Sequence, residues 1–266
     1  IGFDYPADQD WSLIRQSIDQ CIKSFEATYS RFRPDSLVGK IATAGGMYML
    51  PTEAERLFSL YHKLYLLTDG AFTPLIGQAL VDAGYDSTYS LQPKTIHSVP
   101  AWDSALEYQF PQLLVKYPVQ LDFGAAGKGY LVDLVCAILR TQKVASFCVD
   151  AGGDIFYQHA AAEMLKVGLE HPADPTKAIG VATILNKSIC GSAGNRRAWA
   201  DYHHIINPQS LTSPKHILAT WVVADEAIMA DALATCLFFV DHTLLAKQYN
   251  FEYVILYEDY VLEHSL

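Results

Sequence analysis

"VQLDFGAAGKGYLVDLVCAILRTQKVASFCVDAGGD", residues 119–154, reads as a strand, VQLDFG, a glycine-rich turn, a helix from about Tyr130 to Arg140, and a second strand, SFCVDAGGD. Were this unit repeated along the chain, the fold would be a doubly wound parallel sheet. Outward from it the pattern changes. Before it lie two amphipathic helices. Trp11 to Tyr29 sets Leu13, Ile14, Ile18, Cys21, Ile22 and Phe25 at helical spacing, with Asp10 as the cap and SRFRPDS as the loop that follows. In TEAERLFSLYHKLYLLTDG, Thr52 and Glu55 form a capping box, Leu57, Leu60, Tyr61 and Leu64 a stripe, and Asp69-Gly70 the stop.

Residues 85–118, rich in Tyr, Pro and Ser, read as short strands and loops. After the central unit come the strand candidates KVGLEH, IGVATILNKSICGS, HHIINP and HILATWVVAD, then a helix over 226–240 capped by Asp225, then YVILYED. Helices early, strands late and no steady alternation predict an α+β fold: one compact unit over 1–266 with a mixed or antiparallel sheet and packed helices. No internal repeat or linker divides it.

The chain is 51% hydrophobic and 18% charged, enough for a large core. Its formal charge of −10, with no basic run, disfavours nucleic acid and anionic membranes as partners. No apolar run reaches membrane-spanning length, so membrane association is expected only through an anchor outside this sequence or a membrane-bound acceptor. Five cysteines without a C-x-x-C pair lean toward a reducing compartment, the cytoplasm. The start at Ile rather than Met leaves open a processed N-terminus and an extracytoplasmic location.

Two stretches carry most of the chemistry. In DEAIMADALATCLFF, 225–239, Asp231 and Thr235 share one face of an apolar helix, where a carboxylate and a hydroxyl suit a hard cation such as Mg²⁺. The plainer reading is a solvated stripe with Thr235 bonded back to its own helix. In LDFGAAGKG, Asp122 ends a strand and Lys128 opens a helix where phosphates bind, although a tight turn with a surface lysine reads equally well. The spacing is neither Walker A nor G-x-G-x-x-G. Asp154 in AGGDIF reads as a turn residue or a ligand contact. GSAGNRRAW and YHHIINP add a hydroxyl, an amide, two arginines and paired histidines, one of them a candidate general base. A zinc site is not expected.

Taken together and in this order, YSRFRPDS, TDGAFTPLIGQAL, LDFGAAGKGYLVD, DAGGDI, HHIINP and ADALAT resemble the ApbE-type FAD:protein FMN transferases over about residues 29–240. The resemblance implies a T-fold-related domain that binds FAD with Mg²⁺. It implies transfer of FMN through a phosphoester to a Ser or Thr of an acceptor flavoprotein, with release of AMP. It places Asp231, Thr235 and the Ala125 carbonyl at the metal. Asp122, Lys128, Ala71, Phe72, Thr73, Asp154 and Ile205 fall at the flavin nucleotide, and His204 at the base that deprotonates the acceptor hydroxyl. An FAD pyrophosphatase and an FAD-binding protein without turnover are the alternatives on the same scaffold. The chain departs from the family pattern at Asn207, commonly Asp, at Gly127, commonly Ala, and across CGSAGNRRAW. The strand usually found before the first helix is expected to be missing or shortened.

Overall fold

Two apolar periods, 3.6 in the early segments and 2 in the later ones, sort this chain into helices packed on an antiparallel sheet. The computed structural model describes residues 2–4 and 11–266. Its helices are α1 (Ser12–Tyr29), α2 (Leu37–Ile41), α3 (Ala54–Leu67), α4 (Gly77–Asp82), α5 (Trp102–Ala105), α6 (Gly127–Thr141), α7 (Ala227–Cys236) and α8 (His242–Ala246). Its strands are β1 (Gly2–Asp4), β2 (Gly46–Met49), β3 (Leu106–Gln109), β4 (Gln112–Val115), β5 (Phe147–Asp150), β6 (Ile155–Gln158) and β7 (Leu165–His171), followed by β8 (Asp174–Ile184), β9 (Lys187–Ala193), β10 (Ala198–Trp199), β11 (Tyr202–His203), β12 (Ile217–Ala224), β13 (Glu252–Tyr257) and β14 (Leu262–His264).

The main sheet runs β1-β5-β6-β9-β12-β13-β14, with each neighbouring pair antiparallel. The expected α+β class is thus observed. A three-stranded sheet β2-β4-β3, the hairpin β7-β8 and the pair β10-β11 complete it.

α7 explains the arrangement. Its sequence, AIMADALATC, is apolar nearly all round, and a helix of that kind is stable only inside a core. All of its residues except Met229 are buried. Its alanines let α6 approach closely, and Gly129 of α6 sits so near that a Cβ there would overlap the Ala227 carbonyl and lie 2.7 Å from the Asp231 Cβ. The main core joins α1, α3, α6 and α7 to one face of the sheet. A second cluster, including Leu169, Ile184, Ile189 and Val223, lies under the β7-β8 hairpin, and a third gathers Leu80, Tyr85, Trp199 and Ile206.

Several local expectations are corrected. VQLDFG is no strand: Val119, Leu121 and Phe123 are buried in alternation, but the Val119 and Asp122 N–H groups donate to isolated carbonyls, of Ile41 at 3.3 Å and Pro74 at 2.7 Å, rather than to a ladder. α6 starts at Gly127 rather than near Tyr130, and Gly129 in its first turn serves the contact with α7 instead of breaking the helix. Thr52 and Glu55 make no capping box. The side chain of the N-cap residue, Glu53, makes no cap bond, and a backbone turn sends the Ala54 N–H to the Pro51 carbonyl. Glu226, not Asp225, precedes α7, and the carboxylate of Asp133 in α6 accepts from the Ala227 and Ile228 N–H groups, each at 2.9 Å. HHIINP contributes only His203 to a strand, the rest turning along the cavity described below. β1 stands before the first helix at the edge of the main sheet, so a strand is present there. The Asp10 cap lies outside the described residues.

Candidate active site

The margins of the three apolar clusters leave a cavity of about 650 Å³, within the range of small-molecule sites. Phe72, Ile189 and Ile206 each bring one cluster to its wall.

α7 carries Asp231 and Thr235 to this cavity, 3% and 7% exposed, so the solvated-stripe reading of that face does not hold. The Asp231 Oδ2 accepts from the Gly129 N–H at 2.9 Å, in the first turn of α6, where the helix dipole favours a carboxylate. The Thr235 hydroxyl lies 3.3 Å from that of Ser192, on β9. The turn before α6 adds Ala125 and Asp122 to the lining. The Oδ1 of Asp122 accepts from the Gly124 N–H at 2.7 Å, and its Oδ2 from the buried Arg31 Nε at 2.5 Å. Lys128 reaches the cavity with its ammonium paired to Asp154. Asp154 itself is buried behind that lysine and does not line the cavity.

Ala71, Phe72 and Thr73 lie on the wall, fixed by short-range bonds. The Thr68 hydroxyl accepts from the Phe72 N–H at 2.9 Å, and the Thr73 hydroxyl from the Leu75 N–H at 3.2 Å. His204 and Ile205 line it as well. The neighbouring His203 anchors their turn: its Nε2 donates to the Pro214 carbonyl at 2.9 Å, and its Nδ1 accepts from the Ile205 N–H at 3.3 Å. Burial, then the charges of Arg197, His203 and Lys128, bring the His204 imidazole down to about 4. It is therefore neutral near pH 7, with a buried Nδ1 that bonds to no protein group.

Two departures from the family pattern have local accounts. The Asn207 Oδ1 accepts from the Gln209 and Ser210 N–H groups at 2.8 and 3.2 Å, bonds that an aspartate would accept equally. A Cβ on Gly127 would meet its nearest neighbours at 3.7 and 3.8 Å, ordinary contact, so an alanine fits there and glycine is not required.

Sequence reasoning missed Arg31, which holds Asp122, and Glu170; it singled out the arginines of GSAGNRRAW, Arg196 and Arg197, but not the wall they form with Glu170. Glu170 lies on the β7-β8 hairpin and pairs with Arg196 at 2.9 Å across 26 residues. No local spacing announces that contact. The lack of a basic run hid the fact that folding brings Lys128, Arg196 and Arg197 to one cavity.

The oxygen donors suit Mg²⁺. One carboxylate, one hydroxyl and one carbonyl form a hard but sparse set, which fits an ion that keeps water and takes phosphate oxygens. Among the described residues no group of three or more His, Cys, Asp or Glu is placed to hold a metal ion.

A model of the ApbE family matches residues 3–254. An FAD:protein FMN transferase of Chlamydia pneumoniae is 28% identical over 285 residues, covering 96% of this chain and 85% of that protein. One from Treponema pallidum is 27% identical, over 80% of this chain and 67% of its own. Among solved structures, an ApbE protein of Thermotoga maritima superposes with a TM-score of 0.86 at 22% identity, covering 99% of this chain and 92% of that one. The flavin transferase ApbE of Vibrio cholerae gives 0.79 at 18%, covering 98% and 90%. These two likenesses establish the fold.

Proposed function

The chain belongs to the ApbE family, and on that premise we propose that it is a Mg²⁺-dependent FAD:protein FMN transferase, which joins FMN by a phosphoester to a Ser or Thr of an acceptor flavoprotein and releases AMP. The observation that carries this reading is one cavity holding Asp231 and Thr235, Lys128, and the neutral imidazole of His204.

Asp231, Thr235 and the Ala125 carbonyl hold Mg²⁺. When bound, the ion supplies Lewis-acid stabilisation of charge building on the pyrophosphate oxygens. Lys128, oriented by Asp154, meets the phosphates, while Asp122, the Ala71–Thr73 segment and Ile205 contact the flavin nucleotide. His204 takes the acceptor hydroxyl proton at one of its ring nitrogens. Near 4 it is a weak base, but two of the groups that depress it, Arg197 and Lys128, are cations that a bound pyrophosphate neutralises. A bound pyrophosphate thus offsets the part of the lowering that comes from those charges, the larger part coming from burial.

The test incubates the protein with FAD and Mg²⁺, with and without an acceptor domain, and follows AMP by chromatography and acceptor mass by spectrometry. Acceptor-dependent AMP with an FMN-sized mass gain is expected. AMP without a mass gain assigns a pyrophosphatase, and FAD binding without AMP a carrier.

A further inference from the structure

Three cations stand on the cavity wall of a chain whose formal charge is −10: Lys128, Arg196 and Arg197. Two are already matched, Lys128 with Asp154 and Arg196 with Glu170. Arg197 has no carboxylate partner among the described residues. Its Nη1 instead donates to the Tyr85 hydroxyl at 2.7 Å. That phenol is pushed up to about 12, by burial first, and stays neutral. Tyr85 is itself fixed: its ring stacks on Trp199 with centroids 5.8 Å apart, and the Trp199 Nε1 donates to the Ala83 carbonyl at 2.7 Å. Arg197 is therefore aimed by a rigid neutral anchor that leaves its charge uncancelled. A guanidinium held by one Nη keeps its other donors for an oxyanion, in a planar array suited to phosphate.

Its position identifies the anion. The Arg197 carbonyl accepts from the His204 N–H at 3.1 Å, so cation and imidazole leave the same stretch of backbone. A base must lie within hydrogen-bond reach of the hydroxyl it deprotonates, and that hydroxyl must touch the phosphorus under attack. A free cation beside such a base stands at the phosphate rather than at the flavin ring.

We propose that Arg197, anchored by Tyr85, binds a phosphate oxygen of the dinucleotide substrate beside His204. This rests on the transferase reading for the identity of the substrate, though not for the anion chemistry.

The test measures binding to the intact chain by calorimetry, with Mg²⁺ present, for FAD, riboflavin and inorganic pyrophosphate. Riboflavin has the ring and no phosphate, and pyrophosphate the reverse. Arg197→Gln is expected to weaken FAD and pyrophosphate roughly ten- to hundredfold, the size of a charge-assisted hydrogen bond, with riboflavin unchanged. Arg197→Lys should recover part of the loss. Tyr85→Phe, which keeps the charge and frees its aim, should lose less than Arg197→Gln. Wild-type affinity for FAD and pyrophosphate in Arg197→Gln would overturn the proposal and leave the transferase reading standing. Equal losses for all three ligands would also overturn it, since that is the mark of a structural role. Pyrophosphate bound through Arg197 by a wild-type protein that takes neither flavin would support the proposal and overturn the transferase reading instead.

Discussion

The backbone N–H of Gly129 donates to the Oδ2 of Asp231 at 2.9 Å, tying the first turn of α6 to the middle of α7 across 102 residues. This bond orients a buried carboxylate before any ligand arrives. It also separates two roles of Asp231. In Asp231→Asn the amide oxygen still accepts from Gly129, but the charge that holds Mg²⁺ is gone. That variant is expected to melt within a few degrees of wild type and to lose Mg²⁺-dependent transfer by roughly a hundredfold or more. Asp231→Ala leaves the Gly129 N–H without this acceptor and should cost about 1–3 kcal/mol of stability as well. Thermal melts beside transfer rates check both, and full activity in Asp231→Asn would remove Asp231 from the metal.

The same contact makes Gly129 sensitive to size. A Cβ there overlaps the Ala227 carbonyl, a backbone atom that cannot rotate away. Overfilled cores lose about 1–3 kcal/mol, and Gly129→Ala is expected at or above the top of that range. Gly127→Ala, two residues earlier, meets only ordinary contacts and should be near neutral. Urea midpoints for the pair measure the difference. Equal midpoints would mean that α6 and α7 are not as close as described.

Asp133 caps α7 from outside its own sequence, accepting from the Ala227 and Ile228 N–H groups. Removing a capping carboxylate typically costs about 1–2 kcal/mol. Because α7 also carries Asp231 and Thr235, Asp133→Ala is expected to lower both the melting temperature and the affinity for Mg²⁺ with FAD. Asp133→Asn, which keeps one acceptor oxygen, should recover part of each. Calorimetry on the two variants reads both quantities.

What the sequence made legible follows from the range of each signal. The α1 and α3 stripes, the β12 and β13 runs and the i, i+4 pairing of Asp231 with Thr235 are local periodicities, and the fold keeps them. The α7 cap was misplaced because the carboxylate that accepts its first N–H bonds, that of Asp133, lies almost a hundred residues upstream. VQLDFG failed for a related reason. Its alternation reports burial, which a strand and an extended segment share, and only the absence of a neighbouring ladder separates them. At the site, roles could be assigned to residues at motif positions, whereas Arg31, Glu170 and Arg197, though two of them fall inside quoted stretches, act through partners far away in sequence that no spacing announces.

The remaining prediction concerns pH. Folding lowers the His204 imidazole from its ordinary 6.5 to about 4, by burial first and then by the charges of Arg197, His203 and Lys128. Between those values the unfolded chain binds the proton more readily than the folded one, so stability falls as pH falls. The contribution is fully present above about pH 6.5 and is lost progressively down to about pH 4, on the order of 3 kcal/mol for a shift of this size. His203 is lowered in the same direction, so the total slope belongs to both. The difference between wild type and His204→Gln isolates His204: denaturation between pH 4 and 7.5 should show a shallower acid loss in the variant. Pyrophosphate should make the wild-type acid loss smaller and end it above pH 4, because an anion beside Arg197 and Lys128 raises the folded-state imidazole toward its unfolded value. An acid limb identical in the two proteins, with or without pyrophosphate, would show that His204 titrates as an ordinary exposed histidine and is not the buried neutral base assigned here.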